Sequence, residues 1–121
     1  MRPRVLIAED HPEMTSALAH LIEPSCDIVG TIADGSKVVE TVARLRPDVL
    51  VVDLNLPGLN GLEVCRRTVR AFPAVDVIVI TAEVDEALVE ASRAAGAAAF
   101  VAKLSAADAL PAAIAGLRPR P

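Results

Sequence analysis

Blocks of apolar and polar residues alternate along the whole chain. Five short apolar runs, rich in β-branched residues, lie at 5–8, 28–32, 49–52, 77–80 and 99–102. Nearly continuous apolar runs of this length are typical of strands that are buried on both faces of a parallel sheet. We therefore predict five buried β-strands, each of which ends where polar residues begin.

The segments between and after these strands carry apolar residues with the spacing of an α-helix. Residues three or four positions apart share one face of a helix, and such a stripe recurs along the chain. The stripe residues are Met14, Leu18, Leu21 and Ile22; Val38, Val39, Val42 and Leu45; Leu62, Val64, Cys65 and Val69; Leu88; and Leu110, Ile114 and Leu117. Five strand–helix repeats predict an α/β fold with one parallel sheet and helices on both of its faces.

Proline and glycine residues mark the predicted helix ends. These residues are Pro12 in the first turn of the first helix, Pro47 after the second, Gly61 before the third and Gly96 after the fourth. In the last helix, Ser105 is the expected N-cap and Pro111 is expected in the first turn. No linker or repeat divides the chain, so we predict one domain over residues 1–121, with 118–121 as a flexible tail.

Composition and charge narrow the class of protein. The chain has 121 residues, of which 53% are hydrophobic, and a formal net charge of −4, which suits one globular domain. No apolar run approaches the roughly 20 residues of a membrane span, and no signal peptide precedes the first strand, so we expect a cytoplasmic protein without a membrane partner. No basic cluster favours direct nucleic-acid binding by this segment. Cys26 and Cys65 lack metal-ligand spacing and are expected to be free, buried thiols.

Polar residues stand at the carboxyl ends of four predicted strands. Glu9 and Asp10 follow the first strand, Asp53 the third, Thr81 the fourth and Lys103 the fifth. In an open doubly wound sheet, ligands bind in the crevice outside these strand ends. The sequence therefore predicts one polar site, assembled from four strands.

Three carboxylates in one pocket call for a cation, because like charges at close range repel one another. Mg²⁺ prefers oxygen ligands and is typically held by one or two carboxylates together with phosphate oxygens. Glu9, Asp10 and Asp53 are therefore candidate metal ligands. For Glu9 and Asp10 alone, a solvated turn with negative charge at a helix N-terminus explains the sequence equally well.

Asp53 is a candidate nucleophile, because a carboxylate can attack phosphorus to form an acyl phosphate. Lys103 can neutralise charge on the transferred group, and the Thr81 hydroxyl can bond a phosphoryl oxygen. Lys103 is one of only two lysines among 12 basic residues, which sets it apart from the arginine background. The plainer readings are a strand-ending aspartate, a surface lysine and an ordinary strand threonine.

These motifs together resemble the receiver domain of two-component response regulators. They comprise Glu9-Asp10, the run at 53–61, Thr81-Ala82 and the run at 100–103, and the likeness covers essentially the whole chain. The resemblance implies a flavodoxin-like (βα)5 fold with a five-stranded parallel sheet. It also implies a phosphorylation-activated signalling switch rather than a turnover enzyme.

The resemblance assigns roles to the site residues. Asp53 is implied to be the phosphoacceptor, and Thr81 and Lys103 are implied to grip the phosphoryl group. Mg²⁺ is implied to bind Asp10, Asp53 and the Asn55 backbone carbonyl, with Glu9 acting partly through water. The roles of the metal ligands and of the phosphoacceptor therefore overlap at one carboxylate.

Three further positions concern the response to phosphorylation. Asn55 and Glu83 occupy the positions where the family tunes spontaneous loss of phosphate, and this pair implies fairly quick hydrolysis. Phe100 matches an aromatic residue that rotates inward when the threonine moves toward the phosphate. In the family, that change alters the face formed by the fourth helix, fifth strand and fifth helix.

One departure separates this chain from many receivers, which have proline after the lysine. Here Leu104 follows Lys103, so a trans peptide bond is expected. This variant, together with Ala-Gly-Ala before the fifth strand and Leu110-Pro-Ala-Ala-Ile in the fifth helix, resembles regulators that carry a helix-turn-helix output domain, through which DNA could be bound. The chain is then either a natural single-domain receiver or the amino-terminal part of a longer transcriptional regulator. The implied partners are a histidine kinase or phosphotransfer protein, with a homodimer left open. The sequence does not show whether His11 and His20 are more than surface residues.

Two other classes of function stay open at this point. A phosphohydrolase would also use an aspartyl-phosphate intermediate, but such enzymes usually need a second aspartate where this chain has Asn55. A flavodoxin-like cofactor protein would need a phosphate-binding loop after the first strand and aromatic rings to stack on a flavin. The chain has no tryptophan or tyrosine, which disfavours that class.

Overall fold

Five parallel strands form one sheet at the centre of the computed structural model, which describes residues 2–117. The strands are β1 (Arg4–Ala8), β2 (Asp27–Ile32), β3 (Val49–Asp53), β4 (Asp76–Thr81) and β5 (Ala99–Ala102). Their order across the sheet is β2-β1-β3-β4-β5, and all neighbouring pairs are parallel. This is the flavodoxin-like order, so the predicted fold class is confirmed. The predicted tail at 118–121 lies outside the described residues.

Five α-helices cover the two faces of the sheet. They are α1 (Pro12–Ile22), α2 (Val38–Leu45), α3 (Gly61–Ala71), α4 (Glu86–Ala94) and α5 (Ala106–Ala115). Alternate strand residues point to opposite faces, so the core divides into two clusters. In one cluster α1 and α5 pack on one face, and in the other α2, α3 and α4 pack on the opposite face. Among the described helices, none has both the length and the apolar character of a membrane span.

The two edge strands differ from the prediction of strands buried on both faces. The interior positions of β1, β3 and β4 are fully buried, whereas β2 is half-buried or exposed throughout and β5 has one buried residue. The difference follows from position in the sheet, because an edge strand has a neighbour on only one side. Both cysteines are buried and free, as predicted.

The start of α5 also differs from the prediction. Ser105 occupies the N-cap position, but its side chain makes no capping hydrogen bond. A 3-10 turn (Lys103–Ser105) runs directly into the helix, and the amide of Ala106 already donates to the carbonyl of Lys103. Pro111 is the sixth residue of α5 rather than part of its first turn. The helices α3 and α4 are instead capped by Asn60 and Asp85, whose side chains accept amide hydrogen bonds.

Candidate functional site

The polar residues predicted at the strand ends do meet at one edge of the sheet. β1 and β3 are neighbours in which Ala8 pairs with Val52, so Glu9 and Asp53 follow at the same level. Thr81 ends β4 and pairs with Ala102 of β5, which places Lys103 directly beyond that pair. Parallel pairing therefore brings these side chains to one place from strands that are far apart in sequence.

Lys103 joins two buried carboxylates. Its Nζ lies 2.8 Å from Asp53 Oδ2 and 2.8 Å from Glu9 Oε1. The Lys103 side chain is 14% exposed, and the carboxylate side chains are 1% and 0% exposed. Partial burial would lower the pKa of Lys103, but hydrogen bonds and charge attraction from Asp53 and Glu9 outweigh burial and raise that pKa. Lys103 therefore stays a cation in the pocket.

The remaining oxygens of these carboxylates are bound by backbone amides. Asp53 Oδ1 accepts a hydrogen bond of 3.0 Å from the amide of Asn55. Glu9 Oε2 accepts hydrogen bonds from the amides of Asp10, at 2.9 Å, and His11, at 3.3 Å. Both side chains are therefore fixed in orientation before any ligand arrives, which is what a group-transfer site requires.

Asp10 contributes a buried oxygen that accepts no hydrogen bond of good geometry among residues 2–117. This oxygen is Oδ1, and the polar group beside it is His11 Nδ1, at 3.2 Å. One ligand atom each from Glu9, Asp10, His11 and Asp53 lies within 4.8 Å of the others. An unbonded buried oxygen costs free energy that a cation would offset, so these donors fit a divalent ion.

His11 is the residue that the sequence argument did not place in the site. Its Nδ1 lies 3.2 Å from Asp10 Oδ1 and 3.3 Å from Glu9 Oε2. The only signal in the sequence is its position directly after the acidic pair. The His20 side chain, on α1, is 85% exposed, and its Nδ1 lies 3.6 Å from Glu23 Oε1. His20 is therefore not part of the acidic pocket.

Thr81 closes the site on the side of β4. It is buried, and its Oγ1 accepts a hydrogen bond of 3.1 Å from the amide of Glu83. Glu83 and Val84 are exposed in the loop that follows, with Val84 at 65% exposure. Thr81 therefore ends β4 beside the strand ends that carry Asp53 and Lys103, and an exposed loop follows it.

Phe100 stands apart from the acidic group. It is half-buried in β5 and packs against the core cluster beneath α2, α3 and α4. With Val89 and Arg93 it lines a pocket of about 110 Å³ between α4 and β5. Leu104 is 97% exposed, and residues 2–117 contain no cis peptide bond, so the bond after Lys103 is trans as predicted.

A family model decides the identity of this arrangement. The family model of the response regulator receiver domain matches residues 5–115, which include every residue of the site. The chain belongs to the response regulator receiver family. The predicted resemblance is thereby confirmed, and neither a phosphohydrolase nor a flavin-binding family is needed to explain the fold.

Curated relatives of this receiver domain are longer proteins. It is 36% identical over 103 residues to the DNA-binding response regulator MtrA of Mycolicibacterium smegmatis, covering 85% of this chain and 45% of that protein. It is 37% identical over 106 residues to a protein-glutamate methylesterase/protein-glutamine glutaminase of Syntrophus aciditrophicus, covering 84% of this chain and 30% of that protein. The receiver domain therefore spans less than half of either relative.

Solved structures agree with the family assignment. A LuxR-family two-component response regulator from Aurantimonas superposes with a TM-score of 0.89 at 29% identity, covering 95% of this chain and 84% of that one. The receiver domain of the putative response regulator NarL from Mycobacterium tuberculosis gives 0.87 at 28% identity, covering 94% of each chain. The receiver fold of this chain is thus shared almost end to end.

Proposed function

We propose that this receiver domain is phosphorylated on Asp53 and so acts as the switch of a two-component phosphorelay. The observation that carries the proposal is the pairing of Lys103 with Asp53 and Glu9 in one pocket at the strand ends. A buried carboxylate whose charge is balanced by a lysine is a nucleophile with cationic help already in place. The family membership supports the same role.

In the proposed reaction, an Asp53 carboxylate oxygen attacks the phosphorus of the donor. With acetyl phosphate, an acyl phosphate forms on Asp53, the bond from phosphorus to the acetate oxygen breaks, and acetate leaves with the electron pair. Lys103 stabilises negative charge on the phosphoryl oxygens, and the Thr81 hydroxyl donates a hydrogen bond to one of them. Most of the catalysis is positioning and charge neutralisation.

The acidic pocket is suited to hold Mg²⁺. We assign Asp10, Asp53 and the Asn55 backbone carbonyl as ligands, with Glu9 acting partly through water. When bound, Mg²⁺ would neutralise charge on the phosphoryl oxygens. Asp10 Oδ1 supports this assignment, because it is buried and lies beside the His11 ring, at 3.2 Å, rather than accepting a hydrogen bond from a backbone amide or from Lys103.

The consequences of phosphorylation are proposed for three residues. Asn55 and Glu83 are exposed beside the site, where they can influence the attack of water on the acyl phosphate and so tune its lifetime. Phe100 is proposed to move inward as Thr81 engages the phosphate. Phe100 is half-buried and lines the pocket between α4 and β5, which leaves space for such a movement.

The partners follow from the proposed chemistry. A histidine kinase or a phosphotransfer protein would supply the phosphoryl group, and the activated domain would control an output partner or a second copy of itself. DNA would be reached only through a helix-turn-helix domain outside these 121 residues. Relatives that are named DNA-binding response regulators support this arrangement.

Mass spectrometry of the intact protein after treatment with acetyl phosphate and Mg²⁺ tests the proposal. We expect one phosphoryl adduct on the wild type, none on Asp53→Asn, and none on the wild type when EDTA removes the ion. Asp108→Asn is the matched control, because Asp108 is an exposed aspartate on α5. An adduct of equal yield on Asp53→Asn would refute the assignment.

A further inference from the structure

We propose that His11 adds an imidazole nitrogen to the acidic pocket, so that the pocket binds divalent transition ions such as Co²⁺ and Zn²⁺ more tightly than Mg²⁺. This inference deepens the proposed function, on which it rests for the role of the pocket. It concerns which ion the site selects.

The distances around the ring suit ligands of one ion. Two donors about 2.1 Å from the same ion, at angles between octahedral and tetrahedral, lie roughly 3.0–3.4 Å apart. His11 Nδ1 lies 3.2 Å from Asp10 Oδ1 and 3.3 Å from Glu9 Oε2. The contact with Glu9 Oε2 is a hydrogen bond when no ion is present. The ring is therefore already turned toward the carboxylate oxygens that an ion would share with it.

The carboxylates of Glu9 and Asp53 are already engaged by other groups of the protein. Glu9 Oε1 and Asp53 Oδ2 are both engaged by Lys103. Asp53 Oδ1 and Glu9 Oε2 accept hydrogen bonds from backbone amides. Asp10 Oδ1, in contrast, is buried and accepts no hydrogen bond from a backbone amide or from Lys103; the polar group beside it is His11 Nδ1, at 3.2 Å. An ion that binds between Asp10 and His11 would therefore leave the hydrogen bonds of Asp53 and the amide bonds of Glu9 in place.

The His11 ring is also reachable from solvent. Its side chain is 70% exposed, whereas the Asp10 side chain is 28% exposed and the Glu9 side chain is fully buried. His11 is the N-cap residue of α1, with an extended backbone (φ −94°, ψ 114°). An ion can consequently approach from the exposed side and bind the ring before it reaches the deeper carboxylates.

An imidazole changes the preference of an otherwise all-oxygen site. Mg²⁺ favours carboxylates, carbonyls and water, whereas imidazole suits Zn²⁺, Co²⁺, Ni²⁺ and Cu²⁺. Divalent first-row ions also bind a mixed nitrogen and oxygen site with affinities that rise toward Cu²⁺. The donor set Glu9, Asp10, His11 and Asp53 therefore favours a transition ion when both kinds are present.

Titration of the protein with Co²⁺ and, separately, Mg²⁺ by calorimetry tests this inference. His11→Gln removes the aromatic nitrogen, and His20→Gln is the matched control, because these are the only two histidines in the chain and both are exposed on or next to α1. We expect the preference for Co²⁺ over Mg²⁺ to fall by about tenfold or more in His11→Gln, as for other weakened metal sites. The preference should be unchanged in His20→Gln.

A spectroscopic measurement on the wild type keeps the inference testable if a variant is poorly folded. Addition of Zn²⁺ should shift the imidazole ¹⁵N resonances of one histidine, the one absent from His11→Gln, and leave those of His20 in place. Unshifted ring resonances, an equal preference for Co²⁺ in wild type and His11→Gln, or an equal loss in His20→Gln would each overturn the inference.

The two proposals can fail separately. A wild type that forms no Asp53 adduct with acetyl phosphate and Mg²⁺ would refute the proposed function, whereas the Co²⁺ preference is measured without any phosphodonor. A wild type that forms the adduct but shows no dependence of Co²⁺ affinity on His11 would refute only the inference about the ion.

Discussion

Lys103 balances two buried negative charges with one positive charge. Glu9 and Asp53 are nearly inaccessible to water, and each lies 2.8 Å from Lys103 Nζ. Removing one partner of a buried ion pair is costly because the remaining charges lose both hydration and compensation. The residue proposed to help in phosphoryl transfer therefore also bears on the stability of the apo protein.

Substitution of Lys103 should lower the stability of the protein. We expect Lys103→Met to lower the free energy of unfolding by about 3 kcal/mol in EDTA, with a smaller deficit in Mg²⁺, because a bound cation would replace the missing charge. Urea denaturation in the two buffers measures both values. Lys37→Met, at the only other lysine, is the control and should change stability by less than about 0.5 kcal/mol. Equal losses in the two variants would contradict the prediction.

The sequence predicted most of the residues of the pocket but not the contacts between them. Glu9, Asp53, Thr81 and Lys103 could be found because each directly follows, or ends, an apolar run. The bridging position of Lys103 between two carboxylates needs three-dimensional distances. His11 was not placed because an exposed histidine before a helix looks the same in sequence whether or not its ring faces the acidic side chains.

Among the elements of the fold, the loop after β2 and the loop after β3 are joined by a backbone hydrogen bond. The amide of Gly35 donates to the carbonyl of Pro57 at 2.8 Å, and Asp34 accepts hydrogen bonds from the amide and hydroxyl of Ser36. A Cβ at Gly35 would lie 1.8 Å from the backbone oxygen of Leu59. The loop after Asp53 is thus held by a contact that only glycine permits.

A methyl group at this contact should separate the loops. We expect Gly35→Ala to destabilise the protein by about 2 kcal/mol or more, because the clash involves backbone rather than a movable side chain. Gly116→Ala is the matched control, since its Cβ would meet nothing closer than 3.4 Å and its φ of −82° suits alanine. Thermal unfolding of both variants measures the difference, and a neutral Gly35→Ala would disprove the contact.

The local sequence predicts some features of the helices and strands but not others. The helix stripes of Val38 and Val42, or Leu110 and Ile114, were sufficient to find α2 and α5, and both pairs are buried in the core. The capping role of Ser105 was wrong, because the preceding 3-10 turn supplies backbone hydrogen bonds. The half-burial of β2 was missed because strand order, which the apolar pattern does not encode, decides which strands become edges.

In the molecule as a whole, one buried thiol shows how completely the core excludes water. Cys65 is fully buried in the cluster beneath α2, α3 and α4. Burial raises its pKa from 9.0 to about 11, since the thiolate would have to enter an apolar environment. The folded state therefore keeps this proton at pH values where the unfolded chain has lost it.

Global stability should consequently fall in alkaline solution. The protonated Cys65 thiol contributes fully to the free energy of unfolding below about pH 9, and this contribution is lost as the pH rises through about 11. The free energy of unfolding is therefore lower by about 1 kcal/mol at pH 10. Urea denaturation at pH 8 and pH 10 should show this extra loss in the wild type relative to Cys65→Ala, because other titrating groups cancel in the comparison. Parallel pH dependences would contradict the raised pKa of Cys65.

The central position of β3 has a further consequence for motion. β3 has hydrogen-bonded neighbours on both sides, whereas residues 82–85, which follow Thr81, have no regular structure. Amide protons in a central strand exchange only when large parts of a fold open, but those of an exposed loop exchange through small fluctuations. Asp53, the proposed phosphoacceptor, therefore ends a strand whose amides are expected to exchange slowly, close to a loop whose amides are expected to exchange fast.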